Sequence, residues 1–315
     1  MTKLGTVLNH YREGGIEAVI DVVRHKLLLG DWGPTVRRLV GKRFHQKMVM
    51  YSRVGYWPKI RNPRTFNEKL MHRKLYSDDP RFAQVEDKWA VRNYVAKQVG
   101  EDILSEIYHV TEDPETIPFD SLPEAYVIKP THLSGPAVFV NEDETPDREA
   151  IVHNCNDWLN RRHGTMKGEY WYCEIQPRII VEERLRGVES IVPRDFKFYV
   201  FDGRVEYLHV DVDRYSEHKR RFYDRKWNPQ EFELKFPLGP EVPKPQEFDR
   251  MIDVAETLGS DFEFIRVDLY ETVDQGIVFG ELTVAPGSGG EEFRPVEYDF
   301  EFGELWSEDD QKDAS

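Results

Sequence analysis

FEFIRVDLY at residues 262–270 and IVFGELTVA at residues 277–285 are two apolar runs joined by a polar turn that includes Asp274 and Gly276. Charged residues alternate with apolar ones, the period of a half-buried strand, so the pair predicts an antiparallel hairpin of strands 263–271 and 277–284. With residues 273–276 as the loop, partner numbers sum to 549, which sets Asp268 against Glu281 and Arg266 against Thr283. All four side chains then share one face. Carboxylates directly opposite, with Cβ atoms about 5 Å apart, repel each other unless a cation lies between them. Hard oxygen ligands so placed suit Mg²⁺, which takes one or two protein carboxylates and completes its shell with water and phosphate oxygens. Arg266 could neutralise charge on a transferring phosphoryl group. The plainer alternative is a wet polar face on which Arg266 forms salt bridges to both acids.

Upstream of this hairpin the period remains that of strands back to Tyr126. Strands are expected at 126–129, 137–140, 179–184, 196–201 and 205–212, with a helix at 148–160 and a hairpin turn at Asp202-Gly203. A later helix carries Phe248, Met251, Ile252, Ala255 and Leu258 on one side and stops at Gly259. Residues 1–50 read as helical, with Ile16, Val19, Ile20, Val23 and Leu27 at three- and four-residue steps; 51–80 read as an extended arm. A helix at 81–99 is expected to bury Val91, Val95 and Val99 and to place Lys88 and Arg92 on a shared face. The final nine residues, SEDDQKDAS, read as a disordered acidic tail.

Lys129 ends the apolar strand YVIK and precedes the flexible turn PTHLSGPA. A lysine there can reach phosphate oxygens as a point charge while backbone N–H groups cover them. RIIVEERL runs an apolar strand into two acids and a leucine, a composition suited to an adenine edge between apolar walls. Taken singly, either is more simply a strand end.

In order, DKWAVR, VIKPTHLSG, IIVEERL, DFKFYVFDG, FIRVDLY and FGELTVAPGSG resemble the TupA-like branch of the ATP-grasp fold, named for teichuronopeptide biosynthesis, over about residues 60–306. The resemblance implies an α+β chain that holds ATP between two α+β subdomains. Its expected parts are a basic helical extension at 1–60, the start of the ATP-grasp unit at 61–125, a small lid at 126–187, a C-terminal subdomain with the metal hairpin at 188–306 and the tail at 307–315. It also implies that Lys88 and Lys129 hold nucleotide phosphates, with Glu182 at the adenine edge and Leu185 supplying a backbone contact. Asp195, or else Glu189, stands in the place of the ribose acid, and Lys197 is a further phosphate contact by position. Arg266 and Lys129 are the catalytic cations, and Asp268, Glu281 and Thr283 the ligands for one or two Mg²⁺ ions. Thr283 stands where many ATP-grasp enzymes have Asn, a better metal ligand. The implied reaction is ATP-dependent joining of a carboxylate to an amine through an acyl phosphate, with a uronic acid of a surface glycan and an amino acid as substrates. A sugar phosphotransferase and a glycosyltransferase of surface-polysaccharide synthesis are the alternatives.

The substrate side rests on residues alone. Asp213 near the amine, Arg214, and Lys219 and Arg220 of an HKRR cluster suit an anionic acceptor, and the turn at Gly287 and Ser288 offers backbone N–H groups for an acyl oxygen. A solvated strand edge is the alternative.

The composition is globular, 39% apolar with 7 Trp. No window reaches the length of apolar chain that spans a bilayer, and the first residues lack the apolar core of a signal peptide. Cys155 and Cys173 fit neither a disulfide framework nor a zinc site, as expected of a cytoplasmic protein. The net charge of −15 is uneven: residues 1–75 hold 16 Lys/Arg against 5 Asp/Glu, and the remainder 27 against 53. No nucleic-acid partner is indicated by the acidic majority. The basic front part suits peripheral contact with an anionic polymer or with the inner face of a membrane, or else packs as a solvated face on the acidic body.

Overall fold

The computed structural model describes residues 26–30, 32–164, 167–188, 192–212 and 217–307. Two antiparallel sheets organise them. The smaller is built from β1 (Ile107–Thr111), β2 (Tyr126–Pro130), β3 (Val138–Val140) and β4 (Ile179–Glu183), in the order β1-β4-β2-β3. Tyr126, Ile128, Ile179 and Val181 point to one side, where they bury Ile151, Cys155 and Trp158 of a helix, α6 (Arg148–Leu159). Val127, Lys129, Ile180 and Glu182 therefore face the other way. The sheet reaches back beyond the expected 126–187 segment, because β1 forms its edge.

The larger sheet runs β11-β10-β5-β6-β7-β8, from β5 (Arg194–Phe201), β6 (Arg204–Val212), β7 (Lys219–Asp224), β8 (Pro229–Gln230), β10 (Phe264–Thr272) and β11 (Gly276–Thr283). Asp202 and Gly203 turn β5 into β6 with φ of 46° and 76°, the positive values a tight hairpin requires. Helix α7 (Phe248–Gly259) lays its expected stripe of Phe248, Met251, Ile252, Ala255 and Leu258 on the back of the sheet. A two-stranded ribbon pairs β9 (Glu233–Leu234) with β12 (Phe293–Arg294).

The front of the chain departs from the sequence reading in two places. Helices α1 (Gly33–Val40) and α2 (Lys42–Val54) are followed by α3 (Phe66–Tyr76), so the stretch read as an extended arm is partly helical. Thr65 and Glu68 form a capping box that starts α3, each side chain accepting the other's backbone N–H. Phe66 then inserts among Tyr199, Phe201 and Phe264 of the large sheet and Phe302 of α8 (Glu297–Leu305). The expected helix 81–99 is broken into α4 (Arg81–Glu86) and α5 (Val91–Val99). Asp87 adopts extended backbone at the break, and its carboxylate accepts the Trp89 N–H at 2.9 Å, which holds a turn between the two helices. Val91 and Val95 are buried as expected, but Lys88 sits in the break and shares no helical face with Arg92. No helix among the described residues is long and apolar enough to cross a membrane. The apolar stripe expected at residues 16–27 falls almost wholly outside the described residues, as does the acidic tail from residue 308 onward.

Candidate active site

The hairpin of β10 and β11 pairs Arg266 with Thr283, Val267 with Leu282 and Asp268 with Glu281, as the sequence predicts. Below them the register shifts: Leu269 pairs with Phe279 and Thr272 with Gly276. The loop is thus residues 273–275, one shorter than expected, and Gly280 is the extra residue of a bulge that restores the upper pairing. Gly280 alone suits that place, since a Cβ there would lie 2.9 Å from the Tyr270 ring and 3.0 Å from the Asp268 carbonyl oxygen.

The cation between the two acids in this structure is Arg266. Its Nε and Nη2 donate to Asp268 at 2.6 and 2.7 Å, and Nη2 also reaches Glu281 at 2.9 Å and the Thr283 hydroxyl at 2.9 Å. Lys197, paired across β5 with Asp268, donates to that carboxylate and ion-pairs with Asp195 at 2.5 Å. Burial pushes Asp268 up to about 6 against the pull of Arg266 and Lys197. Glu281 also feels burial, but Arg266, Lys197 and Lys88 overcome it and hold the carboxyl down at about 2. Both are ionised at neutral pH, and His209, opposite Lys197 on β6, is kept neutral by burial.

The small sheet supplies the facing charges. Lys129 ion-pairs with Glu182 on the face of the small sheet away from α6. Lys88 is held at the helix break by its N–H on the Thr131 carbonyl and by Nζ on the Leu133 carbonyl at 2.5 Å. Burial lowers the Lys88 pKa, opposed by Glu281, with Lys129, Glu86 and Glu182 also in its field. An ammonium so desolvated favours a further anion. Lys88, Lys129 and Glu182 of the small-sheet side thus meet Glu281 of the large sheet in one electrostatic neighbourhood.

A third element closes the site. In the turn after β11, Gly287, Ser288 and Gly289 all have positive φ. Helix α3 sets this turn: Lys74 donates to the Ser288 carbonyl at 2.5 Å, and Arg73 to the Val284 carbonyl at 3.1 Å. The N–H groups of Ser288 and Gly289 are spent within the turn, on Ala285 and Pro286. The anion nest expected at Gly287 and Ser288 is therefore narrower than the glycine run suggests. Glu291 packs against Gly287 and accepts from Arg220 at 3.0 Å, while Arg220 also holds Asp211 at 2.9 Å.

A family model for the TupA-like ATP-grasp proteins matches residues 68–307. The chain belongs to this family. Among curated proteins none matches it. Solved structures with similarity to this ATP-grasp chain include the ligase PsnB complexed with a phosphomimetic variant of its minimal precursor, Mg and ADP. That pair is 15% identical over 82% of this chain and 64% of that one, with a TM-score of 0.39. The D-alanine–D-alanine ligase of Bacillus anthracis complexed with ATP is 14% identical over 65% of this chain and 55% of that one, with a TM-score of 0.38. The ATP-grasp chain spans between 54% and 58% of the length of the first of these relatives.

The structure thus brings Lys88, Lys129, Glu182, Lys197, Arg266, Asp268, Glu281 and Thr283 together. Leu185, half-buried, follows β4. Asp195 is buried as an ion-pair partner of Lys197, an arrangement unlike the open acid a ribose needs. Arg220 points to the site side of β7, whereas its neighbour Lys219 alternates to the other face and pairs with Glu217. Asp213, Arg214 and Glu189 lie outside the described residues.

Sequence reasoning missed Glu86, two residues before Lys88. Its carboxyl accepts the Val284 N–H at 2.8 Å and the Tyr172 hydroxyl at 2.6 Å, and burial raises its pKa to about 8. Between about 4.5 and about 8 the folded chain keeps this proton and the unfolded chain releases it. Stability therefore falls as pH rises through that window. Glu86→Gln should flatten this part of the melting-temperature profile and leave the variant the more stable form at alkaline pH; parallel profiles would contradict the assignment.

Proposed function

We propose that the chain is an ATP-dependent carboxylate–amine ligase. A substrate carboxylate oxygen attacks the γ-phosphorus of ATP, the bond to the β-phosphate oxygen breaks, and ADP and an acyl phosphate result. An amine then attacks the acyl carbon, phosphate leaves and a proton is released, giving an amide. The observation that carries this reading is that Lys88, which shares its surroundings with Lys129 and Glu182, lies in the field of Glu281, the acid that Arg266 holds beside Asp268.

Asp268, Glu281 and, more weakly, the Thr283 hydroxyl would hold Mg²⁺: the donors are of the right chemistry, two carboxylates on one face, and Arg266 lies between them in this structure. Such a set leaves coordination sites for phosphate oxygens. The ion, when bound, supplies charge neutralisation for the polyphosphate. Arg266 is placed to stabilise the transferring phosphoryl group. Lys197 balances the buried acids, and Lys88 and Lys129 bind the phosphates. Val127 and Ile180 line the face that carries Glu182 and would flank the adenine. The small sheet acts as a lid that excludes water from the acyl phosphate.

For substrates, the resemblance to the teichuronopeptide type favours a uronic acid of a surface glycan and an amino acid, in the cytoplasm where ATP is supplied. The test is ADP release with pools of uronic acids and amino acids, followed by mass analysis. ADP should appear only when both pools are present, with a product lighter by one water than its two parts. ADP formed with a neutral sugar alone would mean a phosphotransferase. Consumption of a nucleotide sugar without ATP would mean a glycosyltransferase.

A further inference from the structure

The outer face of α1 and α2 takes no part in the site described above. Residues 26–64 hold ten Lys/Arg and one acid, Asp31. Among the described residues no carboxylate pairs with Arg38, Arg43, Lys47, Lys59 or Arg61. Beside these cations stand large apolar side chains in water: Leu39 is 80% exposed and Trp32 62%, with Val40, Phe44 and Trp57 also exposed. The opposite face of α2 explains the arrangement, since Val49, Met50 and Val54 are buried and Met50 and Val54 pack with Ile60 and Met71, which leaves Phe44 and Tyr51 to lean outward on Trp57. A groove of about 530 Å³ runs across this surface, lined by Arg43, Phe44, Lys47, Lys59, Arg61 and Tyr76. A second groove shares Arg43 and Phe44 and is walled by Val40 and Leu75.

We propose that this face docks on an anionic lipid bilayer. The cations at the rim meet lipid phosphates, and the grooves take headgroups, while Leu39, Val40, Trp32 and Phe44 enter the boundary between headgroups and acyl chains. The aliphatic residues decide between an anionic bilayer and an anionic glycan. Leu39 and Val40 offer a sugar polymer no hydrogen bond, whereas a bilayer removes their surface from water. The inference is independent of which reaction the site performs.

Flotation of the full chain with vesicles is the experiment. The chain should float with phosphatidylcholine vesicles containing phosphatidylglycerol, stay behind with phosphatidylcholine alone, and be released by added salt. Each cation removed should weaken partition about fivefold, so Arg43→Ala/Lys47→Ala loses on the order of thirtyfold. Leu39→Asp should lose about tenfold or more. Leu39 and Arg43 are exposed and Lys47 is half-buried, and unchanged melting temperatures would verify that the variants are folded. Absence of flotation, equal binding to neutral vesicles, or Leu39→Asp floating like the unaltered chain would overturn the proposal. So would retention on a polyuronate matrix without flotation, or a dimer in sedimentation that the same variants disrupt.

Discussion

Glu281→Gln should reduce ATP turnover on the order of a thousandfold while leaving the protein folded. The two halves of that expectation come from one feature, the unequal burial of the paired acids. The Glu281 side chain is 45% exposed at the open edge of the hairpin, whereas the Asp268 side chain is 1% exposed behind Arg266. A half-exposed ion pair contributes little to stability, up to about 1 kcal/mol, and the amide retains the shape and can still accept from Arg266. The charge is what is lost. A neutral amide next to Asp268 gives a divalent ion one anionic ligand in place of two, and the phosphates of the nucleotide then meet a weaker counter-charge. ADP release at saturating nucleotide and magnesium measures the first half, and a thermal melt the second. Turnover within a few-fold of the unaltered chain would remove Glu281 from the metal site.

Lys197→Met should act the other way, on the fold first. The Lys197 side chain is 8% exposed and stands between Asp195 and Asp268. Burial lowers its pKa, yet Asp195 and Asp268 outweigh it and raise the pKa above the ordinary lysine value. Removing one partner from such a buried set costs about 3–5 kcal/mol, because the carboxylates stay behind with less compensation. For a chain of this size that is a fall in melting temperature on the order of 10 °C. Combining Lys197→Met with Asp268→Asn should cost less than the sum of the two single changes, since each removes the charge the other leaves stranded. Additive losses, or a loss below about 1 kcal/mol for Lys197→Met, would show that the row is not a coupled unit.

The part of this site that the sequence makes legible is the part built from neighbours in the chain. Strand alternation places Arg266, Asp268, Glu281 and Thr283 on one face without any knowledge of the remaining fold. The bulge was not legible, because one residue less in the loop and one more at Gly280 leave the upper pairs unchanged. Lys88 is legible but the break in its helix is not: periodicity across residues 81–99 is continuous, and the break is a turn in which the Asp87 carboxylate takes the Trp89 N–H. The capping box at Thr65 and Glu68 is legible as a T-x-x-E signal that starts a helix inside the stretch read as extended. HKRR reads as one basic cluster by composition, while strand geometry sends Lys219 and Arg220 to opposite faces. Glu86 and Glu291 carry no local signal. Their environments are made by partners far along the chain, Val284 and Tyr172 for one and Arg220 for the other.

The bulge at Gly280 also separates two mechanical demands. In an unbroken ladder, changing the turn at residues 273–275 by one residue would rotate Glu281 to the far side of the sheet. Here an irregularity stands between turn and acid, so slack from the tip can be absorbed before it reaches the charged end. The tip, which touches β4 through Gln275 and Glu183, can thereby change length with the acid pair Asp268–Glu281, four ladder pairs further on, left in place.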